Sequence, residues 1–283
     1  MMRQKRVCAI HDISCFGKCS LTVALPIISS AGIEVSVVPT IILSTHTGGI
    51  TGYTRRDLSG DILPIISHWQ SLNLTFDAIY TGYLGSFEQL DIVSEVIARL
   101  RSDENLIIVD PVMADNGRLY TGFSEDFPSG MLKLVQKADI IVPNITEATL
   151  LLGEPFREGP YTKEYINKLL TGLAKLGPNK IVITGVYFDE LKYGVACLDT
   201  SGAGPDYVMS SRISGHYHGT GDIFASALAA GILNDYSLVD SSGIAADFTA
   251  RSITRTELAG TDPRFGVNFE AELPELIKRL GLI

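Results

Sequence analysis

Residues 214–234 read SGHYHGTGDIFASALAAGILN, a polar loop that leads through the tetrad GTGD at 219–222 into an apolar run. The run 223–233 contains no charged residue and predicts a buried helix. A glycine-rich turn at a helix start leaves backbone N–H groups unpaired, and the helix dipole adds partial positive charge at the same end. The stretch therefore predicts a turn that binds an anion.

Asp222 is the last residue of this tetrad and indicates a catalytic role for it. A carboxylate weakens the binding of a resting phosphate, whereas phosphoryl transfer needs a base that takes the proton from the attacking hydroxyl. The alternative is an ordinary turn in which the helix dipole favours Asp222, and the tetrad alone does not decide between the two. It is not a dinucleotide-binding fingerprint, because Phe224 stands where that motif needs a third glycine.

The composition suits an α/β protein and argues against several kinds of binding partner. The 283 residues are 46% hydrophobic and 19% charged, which is enough for one large domain with a substantial core, and two small domains are the alternative. The net charge of −9 argues against nucleic-acid and membrane-surface partners, since both need clustered Lys and Arg. The sequence shows no signal segment, so we expect a cytoplasmic protein. The four cysteines lack metal-site spacing and predict reduced thiols.

Strand and helix patterns alternate along most of the chain. The continuous apolar run 106–109 is typical of a central parallel strand covered on both faces. Residues 191–198 and 207–213 instead predict two extended runs joined by a glycine-rich turn. The sequence predicts one domain over residues 1–283 with a three-layer α/β fold, in which a mostly parallel central sheet has helices on both faces and a late antiparallel hairpin at its edge.

Polar residues follow many of the predicted strands. In a parallel sheet, ligands bind at the carboxyl ends of the strands, so we expect these side chains to gather at one edge with the tetrad. They are Asp12, Thr47, Tyr83, Asp110, Asn144 and Thr184. Their convergence is stronger support for a binding site than any single motif.

Three of the polar residues near strand ends suggest a cation near phosphates. Asp110 precedes a proline just past a central strand, and a carboxylate there suits a magnesium–water shell. Asn144 and Glu147 are three residues apart at a helix start, which places both side chains on one side of the first turn. The alternative for this pair is a capping box, and the spacing alone favours it.

His46 and Tyr83 are candidates for holding an organic ring. His46, beside Thr47, can hydrogen-bond a heteroaromatic substrate, and Tyr83, which lies between two glycines, can stack on one. Both can also be structural residues, because isolated His and Tyr side chains are commonly satisfied within the protein.

In their order along the chain, these motifs resemble those of the pyridoxal kinase family in the ribokinase-like superfamily. The Asn-x-x-Glu and Gly-Thr-Gly-Asp motifs mark the superfamily, and the His-Thr-Gly and Thr-Gly-Tyr motifs point to the pyridoxal branch. The matching segments are 46–48, 81–83, 110–112, 143–147, 183–184 and 219–222.

The resemblance implies ATP-dependent phosphorylation of the 5′-hydroxymethyl group of pyridoxal, pyridoxine or pyridoxamine. It implies that Asp222 is the general base and that the amides of Gly219, Thr220 and Gly221 form an anion hole. It further implies a homodimer that closes a flap over ATP. The remaining implied roles are Mg²⁺ binding through water by Asn144, Glu147 and Asp110, nucleotide contacts by Thr184 and Tyr120, and substrate contacts by Asp12, His46, Thr47 and Tyr83.

The sequence departs from this family at three places. Asp12 stands where better-known members carry serine, which leaves the vitamer preference open. Val142 stands where some members place a threonine associated with a monovalent cation, so K⁺ dependence is also open. The loop 17–20, which reads GKCS, is unlike those members as well.

Three other functions compete with this hypothesis. A hydroxymethylpyrimidine kinase would share the ATP half of the site and differ in the substrate loops. A non-catalytic protein that binds B6 compounds or nucleotides would gain nothing from Asp222. A dinucleotide oxidoreductase is disfavoured by the missing third glycine.

Overall fold

The computed structural model describes residues 3–215 and 217–283. It divides into two compact units: unit 1 comprises Met1–Gly82 and Ile213–Ile283, and unit 2 comprises Tyr83–Arg212. The single domain over residues 1–283 stays a prediction. Among the described residues, no helix is both long and apolar enough to cross a membrane.

The strands and helices agree closely with the predicted pattern. In chain order the strands are β1 (Arg6–Ser14), β2 (Glu34–Leu43), β3 (Arg55–Asp57), β4 (Ala78–Thr81), β5 (Leu106–Val109), β6 (Ala114–Asp115), β7 (Arg118–Leu119), β8 (Ile140–Ile141), β9 (Lys180–Val186), β10 (Lys192–Asp199) and β11 (Asp206–Ser211). The α-helices are α1 (Leu21–Ser30), α2 (Ser59–Ser71), α3 (Phe87–Leu100), α4 (Phe127–Val135), α5 (Ile145–Leu152), α6 (Lys163–Ala174), α7 (Thr220–Leu233), α8 (Leu238–Leu258) and α9 (Leu273–Arg279).

In unit 1, β1 lies between the parallel strands β2 and β4, and β3 adds to β2 in antiparallel orientation. Residues 7–10 of β1 are fully buried, as expected for a central strand with both faces covered. The helix α7 packs against α1 and α8, and its apolar residues are buried almost throughout. This confirms the buried helix predicted after the tetrad.

In unit 2, β5, β8 and β9 are parallel, and β10 and β11 form an antiparallel hairpin that pairs with β9. The predicted α/β class with a mostly parallel sheet and a late hairpin is confirmed. A small hairpin of β6 and β7 follows β5 and was not predicted. Its turn residues Asn116 and Gly117 both have positive φ, at 50° and 75°, and Asn-Gly is the strongest short signal for such a turn.

Candidate active site

The turn at 219–222 has the shape that an anion site requires. Gly219 is the N-cap of α7 with a φ of 75°, and a Cβ atom added there would lie 2.0 Å from the carbonyl oxygen of Lys18. Only glycine fits this position. A Cβ added to Gly221 would meet no atom within 4 Å, so open space lies in front of this residue, in the first turn of α7. An anion can therefore approach the free amides at the start of α7.

Asp222 lies half-buried in the first turn of α7. Burial raises the pKa of its carboxyl from 3.8 to about 7, the backbone of Ser20 opposes the rise, and the negative charge of Asp12 adds to it. A carboxylate with this pKa can accept a proton near neutral pH, which is the property a general base needs.

Asp12 is buried in β1, where two hydroxyls hold its carboxylate. Ser20 Oγ donates to Asp12 Oδ1 at 2.5 Å, and Ser14 Oγ donates to Asp12 Oδ2 at 3.1 Å. Burial raises the pKa of Asp12, and both hydrogen bonds oppose this. Burial and the charges of Asp222 and Asp12 raise the pKa of the nearby Cys19 thiol well above 9.0. Cys19 is therefore a protonated thiol at neutral pH.

His46 is buried, and both of its ring nitrogens have partners within the protein. Its Nε2 bonds the carbonyl oxygen of Arg264, and its Nδ1 accepts the N–H of Gly48 at 3.1 Å. Burial lowers the pKa of His46, so the ring is neutral. This arrangement differs from the expectation that His46 itself hydrogen-bonds a substrate. The histidine shapes the loop that carries Thr47, which is exposed.

The loop 17–20 is attached to the C-terminal part of unit 1. The backbone N–H of Lys18 donates to the carbonyl oxygen of Phe265 at 3.0 Å. The ammonium group of Lys18 donates to Asn268 Oδ1 at 2.9 Å and to Glu270 Oε2 at 2.8 Å. No local sequence pattern predicts these partners of Lys18, because they lie about 250 positions further along the chain.

In unit 2, Asn144 and Glu147 form the capping box that their spacing favours. Asn144 Oδ1 accepts the N–H of Glu147, and Glu147 Oε2 accepts the N–H of Asn144, both at 2.9 Å. Glu147 Oε1 also accepts the N–H groups of Met113 at 3.0 Å and Ala114 at 3.4 Å. Asn144 Nδ2 donates to the carbonyl oxygen of Ala114 at 2.7 Å. The pair therefore holds the loop that begins at Asp110.

Asp110 and Glu147 are the two acidic residues predicted to hold a magnesium ion through water. Both side chains are buried. Burial raises the pKa of Glu147 to about 8, although three backbone hydrogen bonds lower it. Because those bonds occupy its oxygens, Glu147 suits contact through water better than direct ligation. No group of three or more His, Cys, Asp or Glu side chains within residues 3–215 and 217–283 could enclose a metal. Magnesium commonly keeps several waters and takes only one or two carboxylates.

Thr184 and Tyr120 are joined to the same region by backbone contacts. The N–H of Thr184 donates to the carbonyl oxygen of Pro143 at 2.9 Å, and Thr184 forms a parallel bridge with Asn144. The N–H of Tyr120 donates to the carbonyl oxygen of Met113 at 2.9 Å. Unit 2 thus gathers the residues predicted for the nucleotide and the metal around one loop and one helix start.

Tyr83 belongs to unit 2, whereas Asp12, His46, Thr47 and the tetrad belong to unit 1. The ring centroid of Tyr83 lies 5.7 Å from that of Phe123, which stacks on Phe127 at 3.9 Å. An aromatic cluster therefore supports the Tyr83 ring from one side.

Comparison with known proteins identifies the family. Residues 34–264 match the family model of phosphomethylpyrimidine kinase. The pyridoxal kinase of Arabidopsis thaliana is 30% identical over 82% of this chain and 77% of its own length.

Two solved structures share this fold over nearly the whole chain. A Bacteroides thetaiotaomicron protein described as a phosphomethylpyrimidine kinase, crystallised with pyridoxal, superimposes with a TM-score of 0.92 and 39% identity, covering 97% of this chain and 96% of the other. The pyridoxal kinase of Lactobacillus plantarum gives a TM-score of 0.88 and 32% identity, with 98% of both chains covered. The chain therefore belongs to the family of phosphomethylpyrimidine and pyridoxal kinases, enzymes with a ribokinase-like fold.

Proposed function

We propose that this kinase transfers the terminal phosphoryl group of ATP to the 5′-hydroxymethyl group of pyridoxal, pyridoxine or pyridoxamine. The observation that carries the proposal is Asp222, a carboxylate with a pKa of about 7 in the first turn of a helix whose glycine turn faces open space. A relative of the same fold that was crystallised with pyridoxal supports the choice of substrate.

In the proposed reaction, Asp222 takes the proton from the 5′-hydroxyl as its oxygen attacks the phosphoryl group. The free amides of Gly219, Thr220 and Gly221 hold the negative charge that moves with that group. Both effects act at one helix end, so the base and the anion hole stay fixed relative to each other. Charge stabilisation by donors that are fixed in advance is commonly the largest catalytic contribution.

We assign the residues that bind the nucleotide to unit 2. Thr184 and Tyr120 contact the nucleotide, and Asp110 lies beside the phosphates. Asn144 and Glu147 hold the loop after Asp110 and position the metal through water. Magnesium, when bound, neutralises the phosphate charge. Whether the enzyme also uses K⁺ is a separate question that an activity measurement with and without KCl answers.

On the substrate side, Asp12, Thr47 and Tyr83 contact the pyridine ring. His46 contributes indirectly in this proposal, since its two ring nitrogens hold the loop that presents Thr47. We further propose that the enzyme is a cytoplasmic homodimer. The molar mass in solution tests the dimer, because one chain has a mass of 30.6 kDa.

The assay that tests the proposed function measures ADP release with ATP, Mg²⁺ and each of the three vitamers. Hydroxymethylpyrimidine is the necessary comparison, because the matching family model is that of phosphomethylpyrimidine kinase. We expect turnover with at least one vitamer to exceed that with the pyrimidine. Turnover with the pyrimidine alone would establish the second candidate function, and binding without ADP release would indicate a protein that only binds these compounds.

The value of kcat/KM is expected to fall as the pH drops through about 7. Asp222 must be ionised to accept a proton, and its pKa in the folded protein is about 7. At one pH unit below this value, about a tenth of the molecules carry the ionised base. A profile of kcat/KM from pH 5 to 9 at saturating ATP measures the effect. An activity that stays constant from pH 5 to 8 would exclude Asp222 as the base.

Replacing Glu147 with glutamine is expected to weaken both folding and magnesium use. The amide nitrogen cannot accept an N–H, so one of the three backbone hydrogen bonds to this side chain is lost. A buried backbone N–H that loses its acceptor costs roughly 1–3 kcal/mol of unfolding free energy. Urea denaturation measures this loss, and a magnesium titration of activity measures the metal requirement. If the variant loses stability while its magnesium requirement stays unchanged, Glu147 acts only as a helix cap.

A further inference from the structure

The 3₁₀ turn Pro263–Phe265 presents three consecutive carbonyl oxygens to three different loops of unit 1. In the order 263, 264 and 265, these oxygens accept the backbone N–H of His218 at 3.4 Å, Nε2 of His46 at 2.5 Å and the backbone N–H of Lys18 at 3.0 Å. His46 donates here, because its Nδ1 already accepts the N–H of Gly48. One short turn therefore joins three loops that are far apart in the sequence.

The three loops are those that surround the proposed transfer site. The loop of His46 carries Thr47, Lys18 belongs to the loop 17–20, and His218 directly precedes the tetrad. Two of the loops also touch each other, since the ring centroids of His46 and His218 lie 5.2 Å apart. A Cβ atom added to Gly48 would lie 2.5 Å from Nδ1 of His218. The turn thus supports loops that are already in contact.

The backbone of Lys18 is packed between two glycines. A Cβ atom added to Gly266, the residue after the turn, would lie 2.9 Å from the carbonyl oxygen of Lys18 and 3.0 Å from its nitrogen. A Cβ atom added to Gly219 would lie 2.0 Å from the same carbonyl oxygen. Gly266 has a φ of 87° and a ψ of −175°, a conformation that is almost restricted to glycine. A shift at Gly266 is therefore passed through Lys18 to the tetrad.

Contacts on both sides hold the turn itself in place. Before it, Asp262 Oδ1 accepts the N–H of Arg264 at 3.0 Å, which caps the turn, and the two side chains form an ion pair. After it, the N–H of Asn268 donates to Oγ1 of the buried Thr256 in α8 at 2.7 Å. The side chain of Phe269 is also buried. The turn is therefore a fixed support for the loops that it joins.

We propose that residues 262–266, which we call the clasp, are positioning residues that set the separation between the loop of Thr47, the loop 17–20 and the tetrad. The inference rests on the proposed function of this site. The clasp does not touch the reacting atoms. Its three carbonyl oxygens keep the substrate loops and the anion-binding turn at the spacing that transfer to a bound vitamer requires, and small displacements of such groups are costly to the rate.

Gly266→Ala tests the clasp, because the added methyl group presses on the backbone of Lys18. We expect kcat/KM for the vitamer to fall about 10- to 100-fold. The Kd for ATP should stay within about threefold, since the residues assigned to the nucleotide lie in unit 2. A folded variant with unchanged kcat/KM for the vitamer would overturn the proposal.

Gly260→Ala is the matched control for strain. Gly260 lies in the same part of the chain and also has a positive φ, 61°, but a Cβ atom added there would meet nothing within 4 Å. This variant should lower the Tm and keep kcat/KM for the vitamer within about twofold. If it lowers kcat/KM as much as Gly266→Ala does for a similar loss of Tm, the effect reflects stability and the positioning role is refuted.

Asp262 offers a milder variant that introduces no clash. Asp262→Ala removes the acceptor for the N–H of Arg264, whereas Asp262→Asn keeps an acceptor oxygen at the same place. We expect kcat/KM for the vitamer to fall about 3- to 10-fold in the alanine variant and to recover in the asparagine variant, with ATP affinity unchanged in both. Full kcat/KM in Asp262→Ala would show that the turn does not position the site.

NMR tests the clasp separately from the proposed function. The hydrogen-exchange rates of the Lys18 and His218 amides and the ¹⁵N shift of His46 Nε2 report the three bonds to the turn. We expect all three to change together in Asp262→Ala, and a change in fewer than three refutes the clasp. If the wild-type protein phosphorylates no vitamer while the joint change is observed, only the proposed function is rejected.

Discussion

Asp222→Asn lowers kcat by roughly 10²- to 10⁴-fold, the usual contribution of a general base, and leaves the affinity for ATP within a few fold. The reason is that the asparagine amide cannot take a proton from the 5′-hydroxyl, while the amides of the glycine turn remain in place. Steady-state kinetics with the best vitamer and equilibrium binding of ATP measure the two quantities.

Folding of this variant provides the control. The pKa of Asp222 is raised from 3.8 in the unfolded chain to about 7 in the folded protein. A raised pKa means that the contribution of this group to stability is fully present below pH 3.8 and is lost as the pH rises through 7. Asp222→Asn should therefore unfold at an equal or higher temperature than wild type at pH 8. Turnover that survives in a folded variant would make Asp222 a helix residue without a catalytic role.

Alanine at the two glycines of the tetrad should give two different defects. Gly219→Ala brings a Cβ atom to 2.0 Å from the Lys18 carbonyl oxygen at a φ of 75°, so the turn must move. We expect a loss of roughly 1–3 kcal/mol of unfolding free energy and a kcat lowered by about 10²-fold. Denaturant unfolding and steady-state kinetics measure both.

Gly221→Ala is the matched comparison, because an added Cβ atom there meets nothing within 4 Å. The variant should fold with a Tm close to that of wild type, while the methyl group occupies space in front of the free amides. Its turnover should therefore fall without loss of stability. If Gly221→Ala keeps full activity, the open space in front of the turn does not receive a phosphoryl group.

Much of this architecture is visible in the sequence. The apolar runs predict β5 and α7, and the spacing of Asn144 and Glu147 predicts the capping box. These features depend on residues within a few positions of one another, so the sequence pattern is sufficient to predict them. The dipeptide Asn116-Gly117 is a local signal for the hairpin of β6 and β7, although this hairpin was not predicted. The strand β3 gave no signal, because its three residues are charged and exposed.

The chemistry of the site depends on contacts that sequence pattern does not contain. The raised pKa of Asp222 results from burial and from Asp12, which is 210 positions away in the chain. A serine before a helix predicts a cap, whereas Ser20 turns its hydroxyl to Asp12. His46 was expected to face a substrate, but the carbonyl oxygen of Arg264 and the N–H of Gly48 take up both ring nitrogens.

The close approach of Gly219 to Lys18 has a consequence for how such an enzyme can change over evolution or in the laboratory. The loop 17–20, where the sequence departs from better-known pyridoxal kinases, is in van der Waals contact with the turn proposed to receive the phosphoryl group. Mutations selected in this loop for a new substrate will therefore also disturb the transfer step. Libraries that vary the loop and residues 219–221 together should yield active variants that libraries of the loop alone do not contain.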